Sequence, residues 1–144
     1  MQITDFHKYK RTVMKASSSS APNGELALRV IALDKDTNSN GDIYAGWLMS
    51  QMDLAAASMA GRIAKGRTAT VSVKQLDFLS PVRVGAEVSC YARMVNIGTS
   101  SMHIEVEVWT RDNHQNTPRK VTEGVFVLVA IDDSGRIRAV PAGE

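Results

Sequence analysis

Hydrophobic positions along the chain follow a helical pattern once and strand-like patterns elsewhere. Residues 43–61 read IYAGWLMSQMDLAAASMAG and are dominated by Leu, Met and Ala, which are good helix formers without a β-branch. The chain therefore predicts one strand, one helix and then four strands. The strand-like patterns cover residues 25–33, 68–78, 86–97, 101–111 and 121–131.

Two neighbouring strand patterns predict a hairpin and, with it, a fold. Residues 86–97 and 101–111 each place their apolar side chains on one face, and they flank a good turn sequence, NIGT, at residues 96–99. One buried helix and a set of antiparallel strands can pack together in only a few layered arrangements. The economical one is an α+β fold in which a curved antiparallel β-sheet wraps around one long central helix.

The stretch 68–78 contains an irregularity. Its alternation places Val71 and Val73 on one face and Thr70 on the other, and the apolar phase then shifts to Leu76. A phase shift of this kind predicts a bulge or a bend in the strand.

Composition indicates one domain with an N-terminal extension. The 144 residues are 44% hydrophobic and 22% charged, which suffices for one well-filled core. The Ser, Pro and Gly residues of KASSSSAPNG favour a linker, so residues 1–24 are interpreted as a flexible tail and residues 25–144 as a single domain. The basic run HKYKRTVMK in the tail suits a solvated surface or a partner contact, and no function is assigned to it.

Charge and hydropathy exclude several classes of protein. A formal net charge of +2 gives no case for nucleic acid as a partner. The first fifteen residues lack the apolar core of a secretory signal, and Ser50, Gln51 and Asp53 interrupt the most hydrophobic later window, so neither export nor membrane insertion is expected. The single cysteine, Cys90, lies on the inward phase of a strand and is interpreted as a buried small hydrophobe. A cytoplasmic protein is expected.

Asp53 is the only formally charged residue in the stretch from Ile43 to Gly61. A helix that is apolar on nearly every side is expected to be enclosed, and there an ionised carboxylate loses several kcal/mol of solvation unless partners or chemistry compensate. Asp53 is therefore a candidate catalytic residue. An alternative interpretation places it with Ser50 and Ala57 on a more solvent-exposed stripe of the helix, where it would have no catalytic role.

The order of loop, helix and hairpin resembles a known family. The YciA-type bacterial acyl-CoA thioester hydrolases are similar to this chain over residues 25–141, including TNSNGDIYAGWLMSQMD, GRTATVSVKQLDFLSPVRVGAEV and CYARMVNIGTSSMHIEVEVWTRD. The resemblance implies the hotdog fold and hydrolysis of acyl-CoA to a free carboxylic acid and coenzyme A. Coenzyme A is then part of the substrate, and no separate cofactor is expected. The resemblance also implies that hotdog dimers assemble into a larger homo-oligomer, commonly a hexamer.

The residues provide a mechanism for that activity. Thioester hydrolysis needs a base or nucleophile near the carbonyl carbon, which Asp53 can be, and donors for the oxyanion, which the amides at the helix start around Gly46 can be. Glycine is also common at a helix start simply as a turn or cap residue. Gly46 and Asp53 lie about 10 Å apart along one helix, too far to reach one carbonyl. The site is therefore expected across a dimer interface, with the helix start facing Asp53 of the partner subunit.

The loop before the helix supplies two more candidates. Asn40 and Asp42 are placed to orient water or the thioester, or to serve as an N-cap or Asx-turn residue. The resemblance places Asp42 at a position that assists the helix aspartate in related thioesterases. The sequence departs from the family pattern at Tyr44 and Ala45, where phenylalanine and glycine are usual. The methyl group of Ala45 is expected to narrow the acyl channel or to shift its length preference.

Coenzyme A carries phosphates and a pantetheine arm, which require basic side chains and backbone donors. Arg67, Thr99 and Ser100 are the candidate binding residues, with the resemblance as the main reason. A solvated arginine and an ordinary hairpin turn would explain the same residues without a ligand.

Other chemistries have less support in the sequence. The histidines at positions 7, 103 and 114 lie in the tail, on an outward strand phase and in a polar loop, which argues against a hotdog dehydratase. Neither C-x-x-C, H-E-x-x-H nor a phosphate loop occurs, and no metal is expected. The alternative function is a non-catalytic hotdog module that binds acyl-CoA as a sensor. A 4-hydroxybenzoyl-type thioesterase is a second alternative, and assays across acyl groups separate them.

Overall fold

The computed structural model of the chain describes residues 21–112, 114 and 116–142. The tail predicted for residues 1–24 lies outside the described residues except for its last four, so the division into tail and domain stays a prediction. The elements in chain order are β1 (Glu25–Ile31), a short 3-10 turn (Asp34–Asp36), α1 (Ala45–Ala64), β2 (Thr68–Phe78), β3 (Glu87–Ile97), β4 (Ser101–Arg111) and β5 (Arg119–Ala130).

The five strands form one antiparallel sheet in the order β1-β3-β4-β5-β2. Helix α1 packs against one face of the sheet, the inner face, where it contacts all five strands. This arrangement confirms the predicted α+β architecture. The helix continues a few residues beyond its predicted end, and the predicted hairpin between β3 and β4 is confirmed by a 2.8 Å hydrogen bond from the Gly98 N–H to the Ser101 carbonyl.

The inner face carries the core, and β3 and β4 turn inward the side chains that their alternation predicts. Burial raises the pKa of the Cys90 thiol to about 12, so this cysteine is a buried hydrophobe, as predicted. Helix α1 adds a row of small and flexible apolar side chains that lets its backbone approach the sheet closely. The core side chains of these three elements are Val88, Cys90, Ala92, Met102, Ile104, Val106, Val108, Leu48, Met52, Ala55, Ala56, Met59, Ala60 and Ala64.

One side of α1 is not covered by the chain's own sheet. Leu54 is 58% exposed, Ser50 is exposed, and Asp53 and Ala57 are half-buried. The expectation of a helix enclosed on every side is therefore wrong for the single chain, because the sheet covers only the opposite side. The solvent-exposed stripe of the alternative interpretation, with Asp53 beside Ser50 and Ala57, is present in the isolated subunit.

Strand β2 is bent at two places. The predicted irregularity is confirmed by a shift of register between Lys74 and Asp77, where Gln75 has φ 52°. A second shift lies between Thr70 and Ser72, so Thr70 pairs with Leu128 of β5 on the inner face. Strict alternation placed Thr70 on the face opposite Val73, and this prediction is wrong because the extra residue, Val71, reverses the phase.

Candidate active site

Asp53 is held on the open side of α1 by a residue of the neighbouring strand. Its Oδ1 accepts a hydrogen bond from the Thr70 hydroxyl, with 2.5 Å between the two oxygens. Thr70 lies near the start of β2, opposite the fully buried Leu128, and therefore points to the helix side of the sheet. A carboxylate that is oriented in this way and still half-exposed is placed to accept a proton or to attack an electrophile.

Thr70 is the functional candidate that the sequence pattern misses. Its inward position depends on the bulge at Val71, and this bulge leaves no trace in the apolar pattern because the inserted residue is itself apolar. The phase shift at Leu76 is visible in the sequence, but it marks only the second irregularity. A search for hydroxyl residues just after the helix, on the strand that follows it, could have found Thr70.

The start of α1 presents backbone donors to its surroundings. The carbonyl of Tyr44 accepts the amides of Trp47 and Leu48 at 3.1 and 3.4 Å. The amides of Ala45 and Gly46 therefore remain at the positive end of the helix, where first-turn N–H groups lack intrahelical acceptors. Gly46 is exposed, and a Cβ added there would make an ordinary van der Waals contact with the Tyr44 ring at 3.4 Å.

Asn38 organises the loop before the helix, in place of Asn40 or Asp42. Its Oδ1 accepts the N–H groups of Asn40 and Asp42 at 2.9 and 3.2 Å, and α1 begins after Tyr44 without any side-chain cap. The N-cap interpretation of Asn40 and Asp42 is therefore wrong, and the Asx turn belongs to Asn38. The side chain of Asn40 is exposed and that of Asp42 half-exposed, so both stay candidates for contact with a substrate.

The structure does not bring the two halves of the predicted site together within one chain. Gly46 and Asp53 belong to the same continuous helix and are separated along its axis by about 10 Å. Asn40 and Asp42 lie at the Gly46 end, whereas Thr70 lies beside Asp53. One chain therefore carries a carboxylate half and an amide half of the predicted site, apart from each other.

The candidate coenzyme A residues lie together at the far end of α1. Consecutive N–H groups at the end of β5 donate to the Ser100 and Arg67 carbonyls, each at 3.0 Å, and Thr99 adjoins them in the hairpin. The Arg67 Nη1 donates to the carbonyls of Asp132 and Asp133 at 3.3 and 2.9 Å while its side chain stays exposed. This group lies beyond the carboxyl end of α1, at the end opposite Gly46.

Arg138, another cation near the strand ends, has a structural partner. Its Nη2 donates to the Ala64 carbonyl at 2.7 Å and its Nε to the Ile131 carbonyl at 3.0 Å, so this guanidinium caps the carboxyl end of α1.

The part of the chain that the structure describes contains neither a membrane-spanning helix nor a cluster of metal-binding side chains. No helix among these residues is both long and apolar enough to cross a bilayer. Nor do these described residues bring three or more His, Cys, Asp or Glu side chains together in a way that could hold a metal ion.

An antiparallel sheet packed around one long helix, with a carboxylate and a helix start on the open side, defines a hotdog-fold protein of the thioesterase class. Residues 40–117 match the thioesterase superfamily. The acyl-CoA thioester hydrolase YciA of Salmonella typhimurium is 48% identical over 125 residues, which is 85% of this chain and 94% of that protein. The chain belongs to the thioesterase superfamily and, within it, to the YciA acyl-CoA thioester hydrolases, which confirms the resemblance and the fold class.

Solved structures agree with this assignment. The hexameric thioesterase y2039 from Yersinia pestis has a TM-score of 0.82 and 50% identity, and the match covers 85% of this chain and all of that one. An acyl-CoA hydrolase from Staphylococcus aureus, solved with butyryl coenzyme A and coenzyme A, has a TM-score of 0.74 and 30% identity over 80% of this chain and 70% of its own. That enzyme was also solved as two variants, in which a threonine or an aspartate is replaced by alanine.

Proposed function

We propose that this protein hydrolyses acyl-CoA thioesters to a carboxylic acid and coenzyme A, with Asp53 as the base or nucleophile. The observation that carries the proposal is the Asp53 carboxylate, which Thr70 orients on the open side of the helix in a chain of this family. A module that only binds acyl-CoA has no use for a carboxylate fixed in this position. The sensor is therefore the less favoured alternative.

The chemistry follows from the two half-sites. Asp53 either removes a proton from a water that attacks the thioester carbonyl carbon or attacks that carbon itself, and in both cases the thiolate of coenzyme A leaves and takes up a proton. In the second case a water then hydrolyses the mixed anhydride, which releases the carboxylic acid and regenerates Asp53. Negative charge that develops on the carbonyl oxygen is stabilised by the amides at the start of α1, with Gly46 as the donor that substrate can approach most closely. Asn40 and Asp42 orient the water or the thioester beside this donor.

Two subunits are needed to bring these groups together. The side of α1 that carries Asp53 is open, and β2 ends the sheet with Val71 58% exposed. A second copy placed over this side covers Leu54 and Val71 and sets its own helix start against Asp53. The hexameric relative from Yersinia pestis supports a trimer of such dimers.

The Staphylococcus aureus enzyme gives independent support for the pairing of Asp53 with Thr70. The threonine and the aspartate that its two variants replace are seventeen positions apart, as Thr70 and Asp53 are here. The same spacing in a relative of this fold supports one functional unit made of these two side chains. Arg67, Thr99 and Ser100, beyond the carboxyl end of α1, then contact the coenzyme A part of the substrate.

Release of free coenzyme A thiol tests the proposal directly. Wild type and Asp53→Asn are compared on short, medium and long aliphatic acyl-CoAs and on 4-hydroxybenzoyl-CoA, after their oligomer sizes are shown to agree. We expect kcat to fall by a factor of about 100 or more in the variant, since loss of a general base removes an effect of this size.

Glu123→Gln is the matched control, because Glu123 is a half-exposed carboxylate on the opposite face of the sheet. It should retain wild-type turnover. Binding of acyl-CoA without turnover in the wild type would establish the sensor instead. Turnover confined to the aromatic substrate would establish the 4-hydroxybenzoyl-type enzyme.

A further inference from the structure

Tyr44 immediately precedes α1 and carries a side chain that the proposed mechanism does not use. Its N–H donates to the Asp36 carbonyl at 3.2 Å, and its own carbonyl accepts the amides of Trp47 and Leu48 at 3.1 and 3.4 Å. Its φ of −77° and ψ of 150° are those of an extended residue. The backbone of Tyr44 is therefore held on both sides, so the direction in which its side chain leaves the backbone is fixed.

The ring of Tyr44 lies against the first turn of the helix. A Cβ built at Gly46 would lie 3.4 Å from both Cδ2 and Cε2 of this ring. Tyr44 is nevertheless 43% exposed, which is a large fraction for an aromatic side chain. The space beside the helix-start amides is therefore bounded by an aromatic ring that the chain itself covers only in part.

The hydroxyl of Tyr44 has no hydrogen-bond partner among the residues that the structure describes. A phenol can both donate and accept a hydrogen bond, so this capacity is open to a ligand. The hydroxyl of Tyr91, by contrast, accepts a hydrogen bond from Arg29 Nη2 at 3.4 Å. A half-exposed ring with a free polar end suits a ligand in which methylene groups alternate with polar groups.

The symmetry of the proposed site sets the path of the substrate past Tyr44. Gly46 of one subunit faces Asp53 of the partner subunit, and a two-fold axis repeats this contact in reverse, so the two α1 helices run antiparallel. Tyr44 then lies beyond Gly46 in the direction of the carboxyl end of the partner's helix. The candidate coenzyme A residues of the partner subunit lie beyond that same end.

Tyr44 therefore stands between the thioester and the residues that hold coenzyme A. From Asp53 to Ala64 the helix rises by about 16 Å, a distance that an extended pantetheine arm spans. Tyr44 is only two residues from Gly46, about 3 Å along the helix axis, so it meets the part of the arm nearest the sulfur. That part consists of two methylene groups followed by an amide.

We propose that Tyr44 is a binding residue for the pantetheine arm of the acyl-CoA that the partner subunit's carboxylate attacks or activates water against. The Tyr44 hydroxyl hydrogen-bonds the amide nearest the sulfur, and the ring packs against the adjoining methylene groups. This contact rests on the proposed hydrolysis and on its two-subunit site. Each active site then uses the phenol of one chain together with the carboxylate of the other.

Tyr44→Phe removes the hydroxyl and keeps the ring, and three thioesters of the same acyl group locate the contact. They are the acyl-CoA, the N-acetylcysteamine thioester, which keeps only the first amide, and the ethanethiol thioester, which has none. We expect kcat/KM, measured by release of thiol, to fall about three- to tenfold for the first two, the size of one neutral hydrogen bond. The value for the ethanethiol thioester should not change.

Binding of coenzyme A, measured by calorimetry, gives a readout that needs no turnover. We expect its Kd to rise in Tyr44→Phe by about the same three- to tenfold factor. Tyr91→Phe is the matched control, because it removes the same atom from the face of the sheet that points away from α1. It should leave the Kd and all three values of kcat/KM unchanged.

Several outcomes would overturn the contact while hydrolysis by the wild type stands. They are an unchanged Kd for coenzyme A, an equal loss with the ethanethiol thioester, and a loss confined to the acyl-CoA, which would place the contact further along coenzyme A. A wild type that cleaves no acyl-CoA would overturn the proposed function itself, and the role of Tyr44 with it.

Discussion

At the scale of single residues, the hydrogen bond between Thr70 and Asp53 joins the helix to the strand that follows it. Asp53 alone, on a half-exposed helix side, would sample several rotamers, and most of them would point into solvent. The Thr70 hydroxyl selects one of them, with 2.5 Å between the oxygens. In the proposed mechanism Thr70 is thus a positioning residue, since it acts through the carboxylate.

Replacement of Thr70 separates positioning from binding. We expect Thr70→Ala to lower kcat about tenfold, equivalent to about 1.4 kcal/mol of transition-state stabilisation, with little change in KM. Thr70→Ser keeps the hydroxyl and should restore most of kcat. Steady-state kinetics on one good acyl-CoA substrate measure kcat and KM separately. An equal loss of kcat in the serine and alanine variants would contradict the positioning role.

Individual residues also show where sequence reasoning stops. Asp53 stands out because it is the lone charge in an apolar stretch, and Cys90 is placed correctly by alternation alone. Thr70 is not found, because a bulge whose extra residue is apolar does not change the alternation of apolar and polar residues in the sequence. The choice of Asn38 over Asn40 and Asp42 as the turn acceptor is likewise decided by backbone directions that the residue types do not reveal.

At the scale of elements, α1 ends as clearly as it begins. Lys65 adopts the left-handed conformation with φ 53°, and its N–H donates to the Gly61 carbonyl. The Arg138 guanidinium then binds the Ala64 carbonyl at 2.7 Å from a segment that is 74 positions away in the chain. The end of the helix is thereby joined to the last described residues of the chain.

The Arg138 cap should be measurable in the free energy of unfolding. Arg138→Met keeps much of the aliphatic stem but removes the donors to Ala64 and Ile131, and we expect a loss of about 1–2 kcal/mol. Denaturant unfolding followed by circular dichroism, at equal protein concentration, measures it. Arg136→Met, at an exposed arginine of the same turn region, should change stability by much less.

The turn after β5 predicts a dependence of stability on pH. Hydrogen bonds from the Arg136 amide, the Ser134 hydroxyl and the Ser134 amide, together with the nearby Arg67, lower the pKa of the half-exposed Asp132 carboxyl. A carboxyl whose folded pKa is depressed stabilises the fold above its unfolded pKa of about 4, and this contribution disappears as the pH falls through the folded value.

Thermal unfolding between neutral pH and about pH 3 tests this turn. Asp132→Asn keeps an acceptor oxygen but cannot titrate, so its Tm should fall less steeply below about pH 4 than that of the wild type. Asp133→Asn removes a neighbouring exposed carboxyl and should follow the wild-type curve. Parallel curves for wild type and Asp132→Asn would contradict the prediction.

At the scale of the whole molecule, the order of helix and strands is easier to predict from the sequence than the positions of the candidate site residues relative to one another. The switch from a helical period to alternation indicates one helix and a sheet, and the hairpin signal orders β3 and β4. The position of Asn23 could not be predicted, because its N–H donates to the buried Glu107 carboxylate, which is 84 residues away in the chain. The need of the proposed mechanism for two subunits follows from the rise of a helix, since Gly46 and Asp53 cannot approach each other within one.

Mixed oligomers test a site shared between subunits. Asp53→Asn removes the carboxylate half, and Gly46→Leu blocks the approach to the helix-start amides. Each variant alone should be nearly inactive. Oligomers assembled from equal amounts of the two should regain up to about a quarter of wild-type activity, because half of the dimers are mixed and each mixed dimer has one intact site. Activity no greater than that of the separate variants would contradict a shared site.

The continuity of α1 from Ala45 to Ala64 has a consequence for when the protein becomes active. A newly synthesised chain that has folded correctly holds its carboxylate and its helix-start amides at a fixed separation that no further folding within the chain can close. In the proposed mechanism, chemistry begins only when two folded chains meet. The appearance of activity after synthesis or refolding is then second order in chain concentration, and in a cell the onset of hydrolysis depends on the abundance of this protein as well as on that of its substrate.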